Sequence, residues 1–176
     1  VLYAHPYGEL DQLKFISSEN SLSFVSKIVT IDANSPTELN YGLHIYDLDT
    51  GLISNSFILP TYDDSVRESI KAYSIWEQNT DIALVVQDYI LQPNYRYSKV
   101  FYTSNGGEDW TEVYYSNDNL DYFPENVAIS PDNPEKLFIA RGLSFHTSAG
   151  GLLISDDAGQ SWTEKLPGIC FSPITF

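Results

Sequence analysis

Two stretches of this 176-residue sequence, Thr103-Ser-Asn-Gly-Gly-Glu-Asp-Trp110 and Ser155-Asp-Asp-Ala-Gly-Gln-Ser-Trp162, share one pattern. It runs hydroxyl, any residue, Asp or Asn, any residue, Gly, any two residues, Trp. Each position has a local physical job. A side-chain oxygen of Asn105 or Asp157 can accept hydrogen bonds from nearby backbone N–H groups and so fix a tight turn. Gly107 and Gly159 suit a positive φ, where a Cβ would clash. Trp110 and Trp162 can fold back over the turn and bury a large apolar face against whatever packs beside it. A degenerate copy occurs at Asp47-Leu-Asp49-Thr-Gly51, where Asp49 and Gly51 match, Asp47 stands in for the hydroxyl and Ser54 for the Trp. The central residues 49, 105 and 157 lie 56 and 52 positions apart, a spacing that marks a structural repeat.

The rest of the chain reads as strands. Helical periodicity is nearly invisible, and short β-branched and aromatic runs are separated by turn chemistry such as Asn34-Ser-Pro, Asn79-Thr-Asp and Pro131-Asp-Asn-Pro. Strands are predicted at Ser26–Ile31, Leu43–Asp47, Ser54–Leu59, Lys71–Glu77, Ile82–Tyr89, Val100–Thr103, Trp110–Tyr115, Val127–Ser130, Lys136–Ala140, Leu152–Ser155 and Trp162–Lys165. One helical turn is expected within Asp63–Ile70. Val29-Thr-Ile-Asp-Ala-Asn-Ser-Pro-Thr-Glu-Leu39 aligns without a gap on Val127-Ala-Ile-Ser-Pro-Asp-Asn-Pro-Glu-Lys-Leu137, and a weaker copy begins at Tyr73. Each copy reads as a hairpin followed by a second hairpin. Four antiparallel strands in about 50 residues make the blade of a β-propeller. The fold class is therefore all-β, within a single domain over 1–176, with blades at about 22–62, 66–116 and 120–167.

The hairpin motif resembles the Asp-box, or BNR repeat, whose pattern is S/T-x-D/N-x-G-x-x-W. That repeat occurs in sialidases, sortilin-type receptors, xyloglucan-degrading glycosidases and photosystem assembly factors, between the third and fourth strands of propeller blades. The resemblance covers about residues 22–167. It implies a structural role for Thr103, Asn105, Gly107, Trp110, Ser155, Asp157, Gly159, Trp162, Asp49 and Gly51, on the outer rim and away from the axial face where propellers bind ligands. Closed propellers have about 4–8 blades, so three blades fall short of a ring. Val1–Ser18 and Ile169–Phe176 read as pieces of neighbouring blades. Closure is expected from the remainder of a longer chain or from further copies, and the absence of Met agrees with a processed form or a fragment.

Charge narrows the partners. Nine Lys and Arg against 24 Asp and Glu leave a net charge of −15, which repels a phosphate backbone, and no basic cluster offers an exception. The lack of clustered arginines also counts against a photosystem-type assembly factor. No apolar run is long enough for a membrane-spanning helix, no signal segment is legible in residues 1–20, and no N-x-[ST] sequon occurs. Cys170 stands alone and decides nothing about compartment. The acidic, Tyr-, Ser-, Asn- and Asp-rich composition fits an exported protein, secreted or at the cell surface.

An enzymatic site is hard to assemble from these residues. Sialidase chemistry needs three arginines around a carboxylate, a Tyr/Glu nucleophile pair and an Asp; the chain has only Arg67, Arg96 and Arg141, and no Arg-Ile-Pro segment. A xyloglucanase-type carboxylate pair could be drawn anywhere from so many acidic residues, so it carries no weight. The histidines His5, His44 and His146 are scattered, no metal-ligand spacing occurs, the Asp156-Asp157 pair lacks a Ca²⁺ ligand series, and no cofactor is implied. Tyr89, Tyr95, Tyr97 and Tyr122 stand out instead. They fall in the segments Gln87–Ser98 and Tyr114–Glu125, which read as long aromatic loops able to stack on sugar faces. The expectation is a binding or scaffolding module with a glycan or a protein as ligand; part of a sialidase- or xyloglucanase-type glycoside hydrolase is the alternative.

Overall fold

An unbroken apolar run needs cover on both faces of a strand, and Ile82–Val86 has it. The computed structural model describes residues 8–30, 38–60, 66–91, 95–117, 123–142 and 150–167. They form three four-stranded antiparallel sheets, each a simple meander in chain order. Sheet 1 comprises β1 (Gly8–Ile16), β2 (Ser21–Thr30), β3 (Glu38–Asp47) and β4 (Leu52–Phe57). Sheet 2 comprises β5 (Val66–Ile75), β6 (Ala83–Leu91), β7 (Tyr95–Thr103) and β8 (Thr111–Asn117). Sheet 3 comprises β9 (Pro124–Ser130), β10 (Asn133–Arg141), β11 (Gly151–Ser155) and β12 (Thr163–Lys165). No α-helix occurs among the described residues. The all-β reading and its blade-like units of four strands hold.

Sheet 2 is sandwiched. Along β6, Ala83 and Val85 enter one apolar cluster with Val25, Leu43, Ile45 and Phe57 of sheet 1. Leu84 and Val86 point the other way, into a second cluster with Val127, Ile129, Leu137 and Ile139 of sheet 3. The period of two thus survives inside a continuous apolar run, because neither face of the strand meets water. Each fully buried Leu, Ile or Val contributes about 1.5–3 kcal/mol, so these two clusters hold the sheets together. β9 packs across β5, β6 and β7, and β5 packs against β3.

Several expectations are corrected here. The segment that includes Asp63–Ile70 is not helical where it is described: β5 begins at Val66, and a bulge between Ile70 and Ala72 breaks the alternation that would have identified it as a strand. β1 was not foreseen, and Val1–Ser18 was assigned to a neighbouring blade. From Gly8 onward it is the first strand of sheet 1, with a register shift between Asp11 and Lys14 around Gln12, whose φ is 55°. Sheet 1 accordingly starts earlier than residue 22. The 29–39 and 127–137 segments are also not equivalent. The first spans the end of β2 and the start of β3, the second spans β9 and β10, so the alignment is one strand out of step. The proposed flank Ile169–Phe176 lies outside the described residues.

Candidate functional site

The two full turn motifs repeat one hydrogen-bond pattern. Thr103 Oγ1 accepts from the N–H of Asn105 at 3.3 Å and of Gly107 at 3.0 Å, and donates to Asn105 Oδ1 at 2.9 Å. Ser155 Oγ accepts from Asp157 at 3.2 Å and Gly159 at 2.8 Å, and donates to Asp157 Oδ1 at 2.7 Å. The central side chain then caps the far end of the turn: Asn105 Oδ1 accepts from the N–H of Asp109 at 3.0 Å, Asp157 Oδ1 from that of Ser161 at 2.9 Å. Hydrogen bonds from the Ser161 and Ser155 hydroxyls and the Ser161 amide hold the Asp157 carboxyl down at about 2. Both turns join the third and fourth strands of their sheets, β7 to β8 and β11 to β12.

Each turn also docks on the sheet before it. Gly107, at φ 88°, leaves only 3.1 Å between a would-be Cβ and Phe57, and Gly159, at φ 86°, only 2.5 Å to Val113. The indole N–H of Trp110 donates to the Ile58 carbonyl at 2.7 Å and that of Trp162 to the Val113 carbonyl at 2.8 Å. The Trp110 ring lies 6.1 Å from that of Phe57. The degenerate turn works differently. Asp47 Oδ1 accepts from the N–H groups of Asp49 at 2.7 Å and Thr50 at 3.0 Å. A carboxylate cannot donate as the hydroxyl does, and Asp49 turns instead to the Asn20 side chain, at 2.8 Å.

Of the four candidate tyrosines, Tyr89, Tyr95 and Tyr97 lie on strands. Gln87–Leu91 and Tyr95–Ser98 belong to β6 and β7, so the supposed aromatic loop is mostly hairpin. Tyr89 and Tyr97 are direct cross-strand partners, stacked at 4.7 Å and 6°, with Tyr89 fully buried and its hydroxyl on Gln87 Oε1. Tyr is a good strand former and aromatic cross-strand pairs stabilise a sheet, so these two rings spend their faces on each other. The Tyr95 side chain and Tyr122 lie outside the described residues, as do His5 and His146. Arg96 is bound to Asp88, with its guanidinium 4.7 Å over the Phe123 ring. Arg141, at the end of β10, is bound to Glu164 at 2.6 Å. Both ion pairs lie within one sheet, and Arg141 also hydrogen-bonds the Tyr114 side chain of sheet 2. Arg67 lies in β5, with its side chain undescribed.

What strand-by-strand reading missed is a cavity of about 570 Å³ where the first strands of all three sheets converge. β1 contributes Lys14 and Ile16, β5 and its following turn Ser74, Ile75 and Glu77, and β9 Asn126, Val127 and Ile129. β1, β5 and β9 are each terminal in their sheets, so each turns an edge without a strand partner among the described residues. Side chains lock the three together. The Tyr73 hydroxyl donates to the Gln12 carbonyl at 2.6 Å and meets Ser23 Oγ at 3.0 Å. Lys14 Nζ donates to the Tyr73 carbonyl and lies 4.2 Å over its ring; burial lowers the pKa of this ammonium. Burial pushes the Tyr73 phenol up to about 12, against the opposing effect of its hydrogen bond with Ser23. On the other side, Ser74 Oγ accepts from the Ile129 N–H at 3.2 Å, and Trp76 and Gln78 both donate to the Pro131 carbonyl.

His44 was also passed over. Its ring bridges Ser26 Oγ at 2.7 Å and Ser56 Oγ at 2.8 Å beside the Phe24 ring, and burial lowers its pKa. No group of three or more His, Cys, Asp or Glu among the described residues is arranged to hold a metal ion. No protein-family model matches the chain, and comparison with curated proteins finds no match either.

Proposed function

We propose that this chain is a binding module made of Asp-box propeller blades, secreted or displayed at a cell surface, whose ligand is an uncharged glycan held in the cavity between β1, β5 and β9. The observation that carries this reading is the convergence of three strand edges on one cavity of about 570 Å³, a volume within the usual range for small-ligand sites. Its wall mixes apolar side chains (Ile16, Ile75, Val127, Ile129) with hydroxyl, amide and carboxylate groups (Ser18, Ser74, Asn126, Glu77). Sugars ask for that combination, with C–H faces to bury and many hydroxyls to satisfy. The net charge of −15 disfavours anionic sugars. The Asp-box assignment rests on the repeated hydroxyl–amide pattern at Thr103 and Ser155 and on the two tryptophans that dock on the preceding sheet.

The test is calorimetric titration with neutral oligosaccharides, with amide chemical-shift mapping of any that bind. The expected result is binding that perturbs Ser74, Asn126 and Val127 and weakens about five- to tenfold in Asn126→Ala, the loss of one hydrogen bond of about 1 kcal/mol. Shifts confined to the Tyr89/Tyr97 hairpin, or no binding across a broad panel, would overturn the reading.

A further inference from the structure

Three polar side chains of sheet 1 meet away from the cavity. The inward face of the sheet carries Val25, Leu43, Ile45 and Phe57 against sheet 2, so the alternate residues of β2, β3 and β4 turn the other way. There the registers set Ser26 opposite Gly42, and His44 between Phe24 and Ser56. His44 Nε2 lies 2.7 Å from Ser26 Oγ, and Nδ1 lies 2.8 Å from Ser56 Oγ. Gly42 is what lets the ring reach over. A Cβ at that position would come within 2.5 Å of His44 Nε2 and 3.3 Å of Ser26 Oγ, so a larger residue would push the imidazole off the serine.

Hydrogen-bond satisfaction assigns the protons. Ser26 is only 9% exposed, whereas Ser56 is open to solvent. A buried hydroxyl that fails to donate costs about 1–3 kcal/mol, and the imidazole is the one partner of the Ser26 side chain among the described residues. Ser26 therefore donates to Nε2. The ring then carries its own proton on Nδ1 and donates it to Ser56 Oγ, whose hydroxyl proton water can accept. Burial lowers the His44 pKa, which keeps the ring neutral and Nε2 ready to take a proton. A hydroxyl bonded to a base that a third group orients is the arrangement that activates a serine. Leu10 stands directly opposite Ser26 on β1 and is 47% exposed, an accessible apolar side chain beside the hydroxyl.

We propose that Ser26 is a nucleophile that takes acyl groups from esters with an apolar acyl chain, with His44 as its general base and Ser56 positioning the ring. The Ser26 O–H bond breaks as its proton passes to His44 Nε2, and Oγ bonds to the ester carbonyl carbon. The bond from that carbon to the alkoxy oxygen then breaks, and the departing alkoxide takes the proton back from Nε2. The products are an acyl ester on Ser26 and a free alcohol. Water, deprotonated in turn by His44, cleaves the acyl ester and releases the acid. The acyl chain rests on Leu10. Neither Ser26, His44 nor Ser56 lines the cavity between β1, β5 and β9, so this activity is independent of the glycan reading.

Incubating the intact chain with a fluorophosphonate and mapping the adduct by peptide mass spectrometry identifies the nucleophile without any variant. The expected result is one adduct per chain, on Ser26. p-Nitrophenyl butyrate should release nitrophenolate faster than p-nitrophenyl acetate, because its longer chain reaches Leu10. Ser26→Ala and His44→Gln should each slow that release by about a hundredfold or more, with far-UV circular dichroism unchanged. Gly42→Ala keeps both groups and should slow it about tenfold by displacing the ring. Ser56→Ala should slow it about fivefold, the loss of one hydrogen bond, and Ser56→Thr should restore the rate. No adduct, an adduct on another residue, labelling of His44→Gln at the unsubstituted rate, or a preference for the acetate would each overturn the proposal.

Discussion

The Trp162 indole donates to the Val113 carbonyl at 2.8 Å, so the last turn of sheet 3 is anchored on the last strand of sheet 2. Removing the ring takes away both an apolar contact and a hydrogen bond. Trp162→Ala should lower stability by about 3 kcal/mol in urea unfolding, and Trp162→Phe, which keeps an aromatic ring, by about 1 kcal/mol. A loss under about 1 kcal/mol for the alanine variant would mean the indole contributes little.

Neighbouring positions in the same turn should respond in opposite directions. Ala158 holds φ at 55°, where the sister turn uses Gly106, while Gly159 has no room for a side chain beside Val113. Ala158→Gly should raise stability by about 0.5 kcal/mol, relieving a left-handed residue at some cost in chain entropy. Gly159→Ala should cost about 2–3 kcal/mol through strain and overpacking. Denaturant midpoints of the two variants decide the matter.

Acid should act on the Asp157 turn late. Its carboxyl is depressed from 3.8 to about 2, so its contribution is complete above pH 3.8 and disappears as the pH falls through about 2. Asp157→Asn should flatten that part of the pH–stability curve while keeping the turn, since Asn105 fills the same place in sheet 2. An unchanged acid limb would remove Asp157 from the explanation.

Tyr73 should govern the alkaline limb. Its phenol is raised from 10 to about 12, so the neutral form stabilises the fold fully below pH 10 and that contribution is lost as the pH rises through 12. Tyr73→Phe should cost about 1–3 kcal/mol at neutral pH by leaving the Gln12 carbonyl without its donor, and should flatten the decline above pH 10. Chemical unfolding at pH 8, 10 and 11 measures both effects.

The turns were legible because their bonds are local: Thr103 to Gly107 and Ser155 to Gly159 span four residues each, and residue type alone specifies donor, acceptor and positive φ. β1 and the first half of β5 were not, because bulges at Gln12 and between Ile70 and Ala72 break the two-residue alternation by which a half-buried strand is recognised. The Tyr89–Tyr97 hairpin misled in another way. Aromatic and polar residues interleave there as they do in a binding loop, and only the register between β6 and β7 stacks the two rings.

By itself the sequence determined the class of structure and the position of the two full turns, since local hydrogen bonding and strand patterning follow from residue order. The cavity was decided by tertiary structure alone. Lys14 meets Tyr73, and Ser74 meets Ile129, across 59 and 55 residues of chain, and nothing in a linear pattern records which strand edges will face one another once the sheets stack.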